Sequence, residues 1–167
     1  MQKGNYLQGK RWNVVFSLAA LLVVVADQLS KLWIRSNLVI GQSSFELEFF
    51  QIIRVRPNTG AAFGLFQGQL FALTIVSLVA IAAILCYALF IYRRFPLLDN
   101  MLNRIAIGLI LGGTVGNLID RVRFGGVTDF IGVGSWWPTF NIADSAVTVG
   151  VIIFAYSLLS SVWPETH

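Results

Sequence analysis

The sequence predicts an all-α polytopic membrane protein: four transmembrane helices, a small outer-face β-sheet between spans 1 and 2, and an interfacial loop between spans 3 and 4. Two observations support this fold class. Hydrophobic residues make up 56% of the 167 residues and charged residues only 12%, about half the charged fraction of an ordinary soluble domain. The apolar residues also gather in four runs, each close to the roughly 20 residues that a membrane-crossing helix needs. Residues 1–167 are predicted to form one membrane-embedded domain.

The four spans are predicted over about 12–34, 69–92, 104–122 and 144–163. Basic residues precede the first run, which also resembles a cleavable secretory signal. We favour a retained span, because three further apolar runs follow and no sizeable soluble segment is left to secrete. Spans 2 and 4 are free of charge over 69–92 and 145–163, whereas Asp27 and Asp120 interrupt spans 1 and 3.

Lysine and arginine indicate how the spans are oriented. With the N-terminus inside, the twelve basic residues divide six to six between the two sides. The N-terminal tail is purely basic, however, and the first span usually dominates orientation, so we predict an N-in, C-in topology. Because the basic residues flank apolar runs instead of covering one soluble face, membrane lipids are expected as partners and nucleic acid is not.

This orientation brings acidic residues together at one depth. Asp27 lies roughly 22 Å from the inner end of span 1, and Asp120 roughly 24 Å from that of span 3. Asp144 opens span 4 at its outer end, and Asp129 lies on the short outer connection that precedes it. Polar groups inside a membrane are costly, so this many at one level favour a functional site near the outer surface.

The two outer segments differ in pattern. The outer β segment, about 44–66, begins with an alternation of apolar and polar residues over 44–56 and then has turn residues at 57–60. It forms either a small sheet lying on the membrane or a cradle for an extended peptide; the sequence leaves both open. The second segment, 123–141, is rich in glycine and contains Trp136 and Trp137, which suit the headgroup layer, so we expect a flexible interfacial loop.

Elimination narrows the chemistry to carboxylates. The only histidine is His167, so neither an HExxH zinc site nor a Ser–His or Cys–His pair is available. Ser30 and Lys31 are adjacent on a helix and do not face each other, and Ser135 has no base. Two close carboxylates share one proton and can hydrolyse a peptide bond without a metal or cofactor, neither of which is expected.

Several polar residues also have structural interpretations. Asn141 and Asp144 have the spacing of a helix cap, at about even odds with a functional role for Asp144. Asp120 with Arg121, and Asp27 with Lys31 at i,i+4, are predicted to be supporting charge pairs. The glycines of span 3 recur every four residues, which predicts close packing against another helix, and Asn117 is expected to face the interior. The recurring glycines are Gly108, Gly112 and Gly116.

Two other classes of function compete with hydrolysis. Membrane carboxylates often form relays in transporters and proton channels, but those require polar residues along the full depth of a span, and here the inner halves are apolar. A non-catalytic binding or assembly factor, the other class, would tolerate loss of both aspartates.

Five stretches in order resemble the bacterial lipoprotein signal peptidases (signal peptidase II) over nearly the whole chain. They are DQLSK (27–31), NTGAAF (58–63), GGTVGNLIDR (112–121), VTDF (127–130) and FNIADS (140–145). The resemblance implies four spans, an outer β-cradle and an aspartate pair, Asp129 and Asp144, that carries out catalysis. The choice of Asp129 over Asp120 rests on this resemblance alone. The matched positions implied to shape or bind at the site are Asp27, Lys31, Asn58, Asn117, Asp120, Arg121 and Asn141.

The implied reaction removes the signal peptide from a prolipoprotein by cutting before its diacylglyceryl-modified cysteine. It implies an aspartic endopeptidase in the cytoplasmic (inner) membrane of a bacterium, with the active site toward the outer, periplasmic face. We expect prolipoproteins and membrane lipids as partners and a monomer as the working form. The family is also the target of the cyclic peptide antibiotic globomycin.

Overall fold

The computed structural model describes residues 2–60, 66–91 and 100–162. Within these ranges the chain forms four helices and three short strands. The helices are α1 (Gln2–Asn37), α2 (Leu70–Cys86), α3 (Met101–Phe124) and α4 (Ile142–Val162), and the strands are β1 (Ser43–Leu47), β2 (Phe50–Ile53) and β3 (Ile131–Val133).

All four helices are long and apolar enough to cross a membrane, which confirms the predicted fold class. The qualifying segments are Asn13–Asn37, Leu70–Phe90, Met101–Phe124 and Ile142–Ser161. The predicted spans agree to within a few residues at most ends, although residue 92 of span 2 and residue 163 of span 4 lie outside the described residues. Residues 61–65 of the predicted β segment also lie outside them. The assignment of the chain to one domain stays a prediction.

Helix α3 is the centre of the bundle, because its glycines let two neighbours approach closely. A Cβ on Gly112 would stand 2.6 Å from the carbonyl oxygen of Ala20 in α1. One on Gly113 would stand 2.4 Å from that of Ala143 in α4. Gly108 and Gly116 also face α1, so the predicted four-residue glycine repeat is a packing surface for α1.

Helix α2 lies at the periphery, and Ser77 is its one buried residue between Leu70 and Cys86. Its C-terminal end changes to a π-helical turn, Tyr87–Ile91. The turn is held by the Arg104 guanidinium of α3, which donates to the Ala88 carbonyl oxygen at 3.0 Å. The Tyr87 ring also stands edge-to-face against Phe154 of α4, with the ring centroids 6.2 Å apart.

The three strands form one antiparallel sheet in the order β1-β2-β3. The alternating segment 44–56 turns back at Glu48 and Phe49, between the paired residues Leu47 and Phe50. The hairpin turn therefore precedes the predicted turn at 57–60. Side chains of a hairpin are less completely buried than those of a core strand. The alternation of apolar and polar residues therefore continues through the turn and does not indicate where the turn lies.

The second outer segment is more ordered than the flexible loop that we predicted. Ile131–Val133 pairs with β2, where Gln51 stands opposite Gly132, and the Ile131 and Phe140 backbones form a bridge. Backbone hydrogen bonding explains the difference: the Ile53 amide donates to the Phe130 carbonyl at 3.0 Å. These bonds fix the chain after Asp129, and a backbone pair between Asn58 and Val127 fixes it before Asp129.

Arg54 anchors the sheet to the bundle. Its guanidinium donates to the carbonyl oxygens of Arg35 at 2.9 Å and Leu38 at 2.6 Å. Arg35 lies in the last turn of α1 and Leu38 just after it, where carbonyl groups have no partner inside the helix. Ile34, Leu38 and Phe130 pack into one buried cluster with Ile52 of β2 against it, which joins the C-terminal end of α1 to the sheet and to the residue that follows Asp129.

Candidate active site

A cavity of about 1260 Å³ opens at the end of the bundle that carries the sheet. Its walls come from α3, from the first turns of α4 and from two outer segments, 55–60 and 135–140. The predicted site residues that line it are Asn58, Asn117, Arg121, Asp129 and Asp144. Among the strand residues none lines the cavity; the wall begins at Val55, just after β2. The strand residues therefore lie beside the cavity and are not part of its lining.

Asp129 is buried in the cavity wall, with 3% of its surface exposed. Its carboxylate accepts hydrogen bonds from the side-chain amides of Asn58 at 3.1 Å and Asn141 at 2.7 Å. Burial, followed by the neighbouring charge of Asp144, raises the pKa of Asp129 to about 6, although the two amide donors act in the opposite direction. Asp129 therefore changes charge close to neutral pH.

Asp144 both caps a helix and faces the cavity. Its amide donates to the Asn141 side-chain oxygen at 2.9 Å, and its Oδ2 accepts from the Asn141 amide at 3.2 Å. This reciprocal pair is a capping box, as the spacing predicted. The other oxygen, Oδ1, accepts from the Asn117 side chain at 2.8 Å. The two interpretations of Asp144 were therefore not alternatives, because capping fixes the carboxylate that lines the cavity.

Asn141 connects the two aspartates directly. While its backbone and side-chain oxygen cap α4 together with Asp144, its Nδ2 donates to Asp129. The same Nδ2 also reaches the side-chain oxygen of Asn117 at 3.2 Å. Asn141 is fully buried, so a single amide side chain sets the position of Asp129 relative to the start of α4.

Lys31 and Asp27 form a fully buried ion pair behind the cavity. The Lys31 ammonium lies 2.9 Å from Asp27 Oδ2, and both side chains are 0% exposed. Lys31 also donates to Asn117 Oδ1 at 2.9 Å, while Asp27 Oδ1 accepts from the Ala143 amide at 3.0 Å. The predicted i,i+4 pair is present, and it attaches α1 to both helices that carry the site.

Asp120 supports the site from outside the cavity. Its carboxylate lies 3.3 Å from the Arg35 guanidinium and 3.7 Å from the Lys31 ammonium. It also accepts from the Thr128 amide at 2.8 Å. Asp120 therefore holds the backbone next to Asp129, and its partners come from α1 and the outer connection.

The predicted charge pair between Asp120 and Arg121 is wrong. Among the described residues, the ion pairs of Asp120 are with Lys31 and Arg35. Successive helical residues point about 100° apart and do not face each other. Arg121 accordingly points to the cavity side, where its Nη1 donates to Ser77 Oγ at 3.3 Å.

Hydrogen bonds and ion pairs join every predicted site residue except Arg121 into one network, and Arg121 lies with Asp129, Asp144, Asn58 and Asn117 on the cavity. Four contributors were not predicted: Arg35, Ser77, Thr128 and Gln28, whose Nε2 lies 3.4 Å from Asp120 Oδ1. Gln28 and Thr128 lie inside stretches of the family resemblance, which could have drawn attention to them. Arg35 and Ser77 have no sequence signal, because their contacts depend on how α1 and α2 pack. Within the described ranges, no group of three or more His, Cys, Asp or Glu residues could hold a metal ion.

The fold and the cavity define a class: a multi-pass membrane protein with buried carboxylates at one end of a four-helix bundle. The sequence model of the family described as Signal peptidase (SPase) II matches residues 19–160. The chain belongs to the signal peptidase II family, and that family makes it a protease.

Curated relatives and solved structures agree with this family. A lipoprotein signal peptidase of Dehalococcoides mccartyi strain BAV1 is 50% identical over 92% of this chain and 95% of its own length. That of Moorella thermoacetica is 44% identical over 86% and 92%. A bacterial membrane enzyme solved in meso at 2.3 Å resolution is 34% identical, with a TM-score of 0.78 and 90% of each chain covered.

Proposed function

We propose that the chain is an aspartic endopeptidase that removes the signal peptide from diacylglyceryl-modified prolipoproteins, cutting before the lipidated cysteine. The observation that supports it most is the Asn141 side chain, which binds Asp129 while Asn141 and Asp144 cap each other. This arrangement holds two carboxylates on the wall of one cavity. The names of the relatives supply the substrate class, lipoprotein precursors.

The proposed reaction uses one proton shared by Asp129 and Asp144. The ionised carboxylate takes a proton from a water molecule as the water oxygen attacks the scissile carbonyl carbon. The protonated partner donates to the carbonyl oxygen, which gives a neutral tetrahedral intermediate. Collapse breaks the C–N bond, and the proton held by the base passes to the leaving nitrogen. The products are a signal peptide with a new carboxyl end and a mature chain that begins at its lipidated cysteine.

The amide side chains around the pair keep it both buried and able to carry charge. Each aspartate accepts two hydrogen bonds from asparagine donors: Asn58 and Asn141 for Asp129, Asn117 and Asn141 for Asp144. Hydrogen bonds to a carboxylate stabilise its ionised form, whereas burial and the second carboxylate oppose it. We infer that these opposing effects set the charge of the pair.

The other polar residues are assigned supporting and binding roles. Lys31, Asp27 and Asp120 hold α1, α3 and the outer connection in register around the pair. Arg121, with its guanidinium on the cavity side, is assigned to the substrate backbone, where a carbonyl oxygen would accept from it. The hydrophobic part of the signal peptide would lie against the part of the cavity wall that Val147 and Val149 form.

The proposed setting is the cytoplasmic (inner) membrane of a bacterium, with N-in, C-in topology and the cavity toward the periplasm. Exposed aromatic side chains surround the cavity end: Phe49 on the hairpin turn, Phe71 at the start of α2 and Trp136 beside the cavity. Such side chains favour the headgroup layer, so membrane lipids are the expected neighbours. The proposed working form is a monomer, and globomycin is its proposed inhibitor.

The test is hydrolysis by the purified chain in lipid, with a synthetic precursor peptide carrying a diacylglyceryl group on its cysteine. We expect mass spectrometry to find two products, with the new amino terminus on the lipidated cysteine. The matched control is the same peptide without the lipid, which should be cut much more slowly. Cleavage at another bond, equal cleavage of both peptides, or no cleavage would contradict the proposal.

A further inference from the structure

Ser77 is the one buried residue in the whole of α2 from Leu70 to Cys86, with 7% of its surface exposed. Most residues of this peripheral helix are apolar, so a small polar side chain at its one buried position is unusual. It contacts Arg121, whose Nη1 donates to Ser77 Oγ at 3.3 Å. Ser77 has no sequence signal of its own, and the proposed reaction does not use it.

The hydroxyl of Ser77 is oriented by its own helix. Its Oγ donates to the Leu73 carbonyl oxygen one turn earlier, at 2.9 Å. A serine hydroxyl has one proton and two lone pairs, so this donation leaves only acceptor capacity toward Arg121. An arginine has donors and no acceptor, so the two groups are complementary in this one arrangement. The backbone of α2 thereby determines where Ser77 can receive the guanidinium.

Arg121 retains donor capacity on the cavity side. Its Nη1 donates to Ser77, whereas its Nη2 has no hydrogen bond to the described residues. The side chain lines the cavity with Asp129 and Asp144, and these carboxylates interact with it electrostatically. An extended peptide backbone offers carbonyl oxygens of the required kind.

We propose that Ser77 is a positioning residue for substrate binding: it holds the Arg121 guanidinium so that the remaining donors meet a carbonyl oxygen of the bound peptide. This inference rests on the proposed function, since it assumes a peptide in the cavity. Ser77 itself does not touch the reacting atoms. Ser77 lies on α2, the least buried of the four helices, and acts on a residue of α3, the most buried one.

The test compares Ser77→Ala with Ser77→Thr, which keeps a hydroxyl. Without the Ser77 hydroxyl the Arg121 side chain is no longer held in place, although it keeps its charge. Substrate binding should therefore weaken equally in the ground state and in the transition state. For Ser77→Ala we expect a KM about fivefold higher, the effect of one modest hydrogen bond, with kcat within about twofold. Ser77→Thr should recover most of the loss. Thr74→Ala is the matched control, because Thr74 makes the same bond to its own helix, to the Leu70 carbonyl at 2.8 Å.

A double-mutant cycle separates positioning from packing. In an Arg121→Gln background, Ser77→Ala should change KM no further, because the group that it positions is gone. Equal effects in both backgrounds, a fall in melting temperature without a change in KM, or the same KM change for Thr74→Ala would each overturn the inference.

A binding measurement distinguishes failure of this inference from failure of the proposed function. The affinity of the lipidated precursor is titrated in an Asp144→Asn background, where turnover is not needed. We expect Ser77→Ala to raise Kd about fivefold there as well. If the unmodified chain does not cut the precursor, the proposed function fails; if Ser77→Ala leaves Kd unchanged, the positioning role fails, whatever the outcome of the cleavage assay.

Discussion

Asparagine side chains control the charge of the candidate site at the scale of single residues. Asn58, Asn117 and Asn141 are neutral, so they can donate to a buried carboxylate without fixing it in the ionised form as a lysine would. Lys31 lies behind these side chains and is connected to Asp144 through Asn117. This order places the full positive charge behind the amides and leaves the pKa of Asp129 near neutrality.

The first prediction concerns the pH dependence of Asn58→Ala. Asp129 must be ionised when it acts as the base, so kcat/KM of the unmodified chain should fall as the pH drops through about 6. Asn58 donates to Asp129 and stabilises the carboxylate, so removing it raises the pKa of Asp129 further. The fall in kcat/KM should then begin at higher pH, displaced by about half a pH unit to one pH unit.

The measurement is a pH–rate profile from pH 5 to 8 on the lipidated precursor. Thr59→Ala is the neighbouring control, since Thr59 also lines the cavity and has no hydrogen bond to Asp129 among those of the described residues. Its profile should keep the acidic limb of the unmodified chain. An unmoved limb in Asn58→Ala, or a limb that moves to lower pH, would contradict the assignment of that limb to Asp129.

Individual site residues were predictable to different degrees. The i,i+4 spacing of Asp27 and Lys31 predicted their ion pair, and the spacing of Asn141 and Asp144 predicted the cap. Adjacency misled in the case of Asp120 and Arg121, because neighbours in sequence diverge on a helix. One partner of Asp120 on α1 is Arg35, 85 residues away, and no local pattern predicts a contact of that kind.

Helix packing at the scale of elements depends on the small residues of α3. The glycine repeat predicted a close helix contact from sequence alone, and the structure identifies α1 as the partner of that surface. It also shows a second close contact, in which Gly113 faces α4, that the four-residue repeat did not reveal. Both contacts bring site residues together, since α1 carries Lys31, α3 carries Asn117 and α4 carries Asp144.

The second prediction is that Gly112→Ala destabilises the bundle. The new methyl group would stand 2.6 Å from the Ala20 carbonyl oxygen and 2.7 Å from the Val23 Cβ. Because the nearest atom belongs to backbone, α1 would have to move away, at a cost of about 1–3 kcal/mol. Thermal unfolding in detergent should show a lower melting temperature, and activity should fall because Lys31 moves relative to Asn117.

Val122→Ala provides the comparison for this change. Val122 is on the same helix and is 69% exposed, so shortening it should alter stability by no more than about 0.5 kcal/mol. Equal melting temperatures for Gly112→Ala and the unmodified chain would show that α1 and α3 are not packed as closely as described.

The sheet was less predictable than the helices. Alternation over 44–56 indicated strand, but period two gives no information on where a strand turns back, and the hairpin reverses at Glu48 and Phe49. Strand β3 is three residues long and includes a glycine, so it has little propensity of its own. It exists because β2 offers it a hydrogen-bonding edge, which is a property of the tertiary structure.

At the scale of the whole molecule, the third prediction tests the orientation in the membrane by labelling introduced cysteines in a Cys86→Ser background. Trp136→Cys, at a residue 78% exposed beside the cavity, should react with a membrane-impermeant maleimide added to intact spheroplasts. Met101→Cys, at a residue 50% exposed at the other end of α3, should react only after permeabilisation.

This prediction follows from the purely basic N-terminal tail and from the position of the cavity at the opposite end of α1. The reverse labelling pattern would place the cavity on the inner side. It would contradict the proposed topology while leaving the fold and the family unchanged.

The overall fold followed from composition and from the length of the apolar runs, because the bilayer dictates both. The choice of Asp129 with Asp144 did not, since four acids lie at similar depth and only the family resemblance separated them. In the structure this pair lines the cavity, whereas Asp120 lies behind it.

The most direct test of the central claim is cleavage of the lipidated precursor by Asp129→Asn and Asp144→Asn, each verified as folded by its melting temperature. Asparagine preserves the shape of aspartate but can neither share the proton nor act as a base. We predict that each variant loses at least about a thousandfold in kcat, in line with the removal of a catalytic acid or base, while the precursor still binds. Substantial turnover by either folded variant would contradict the aspartate pair as the catalytic group.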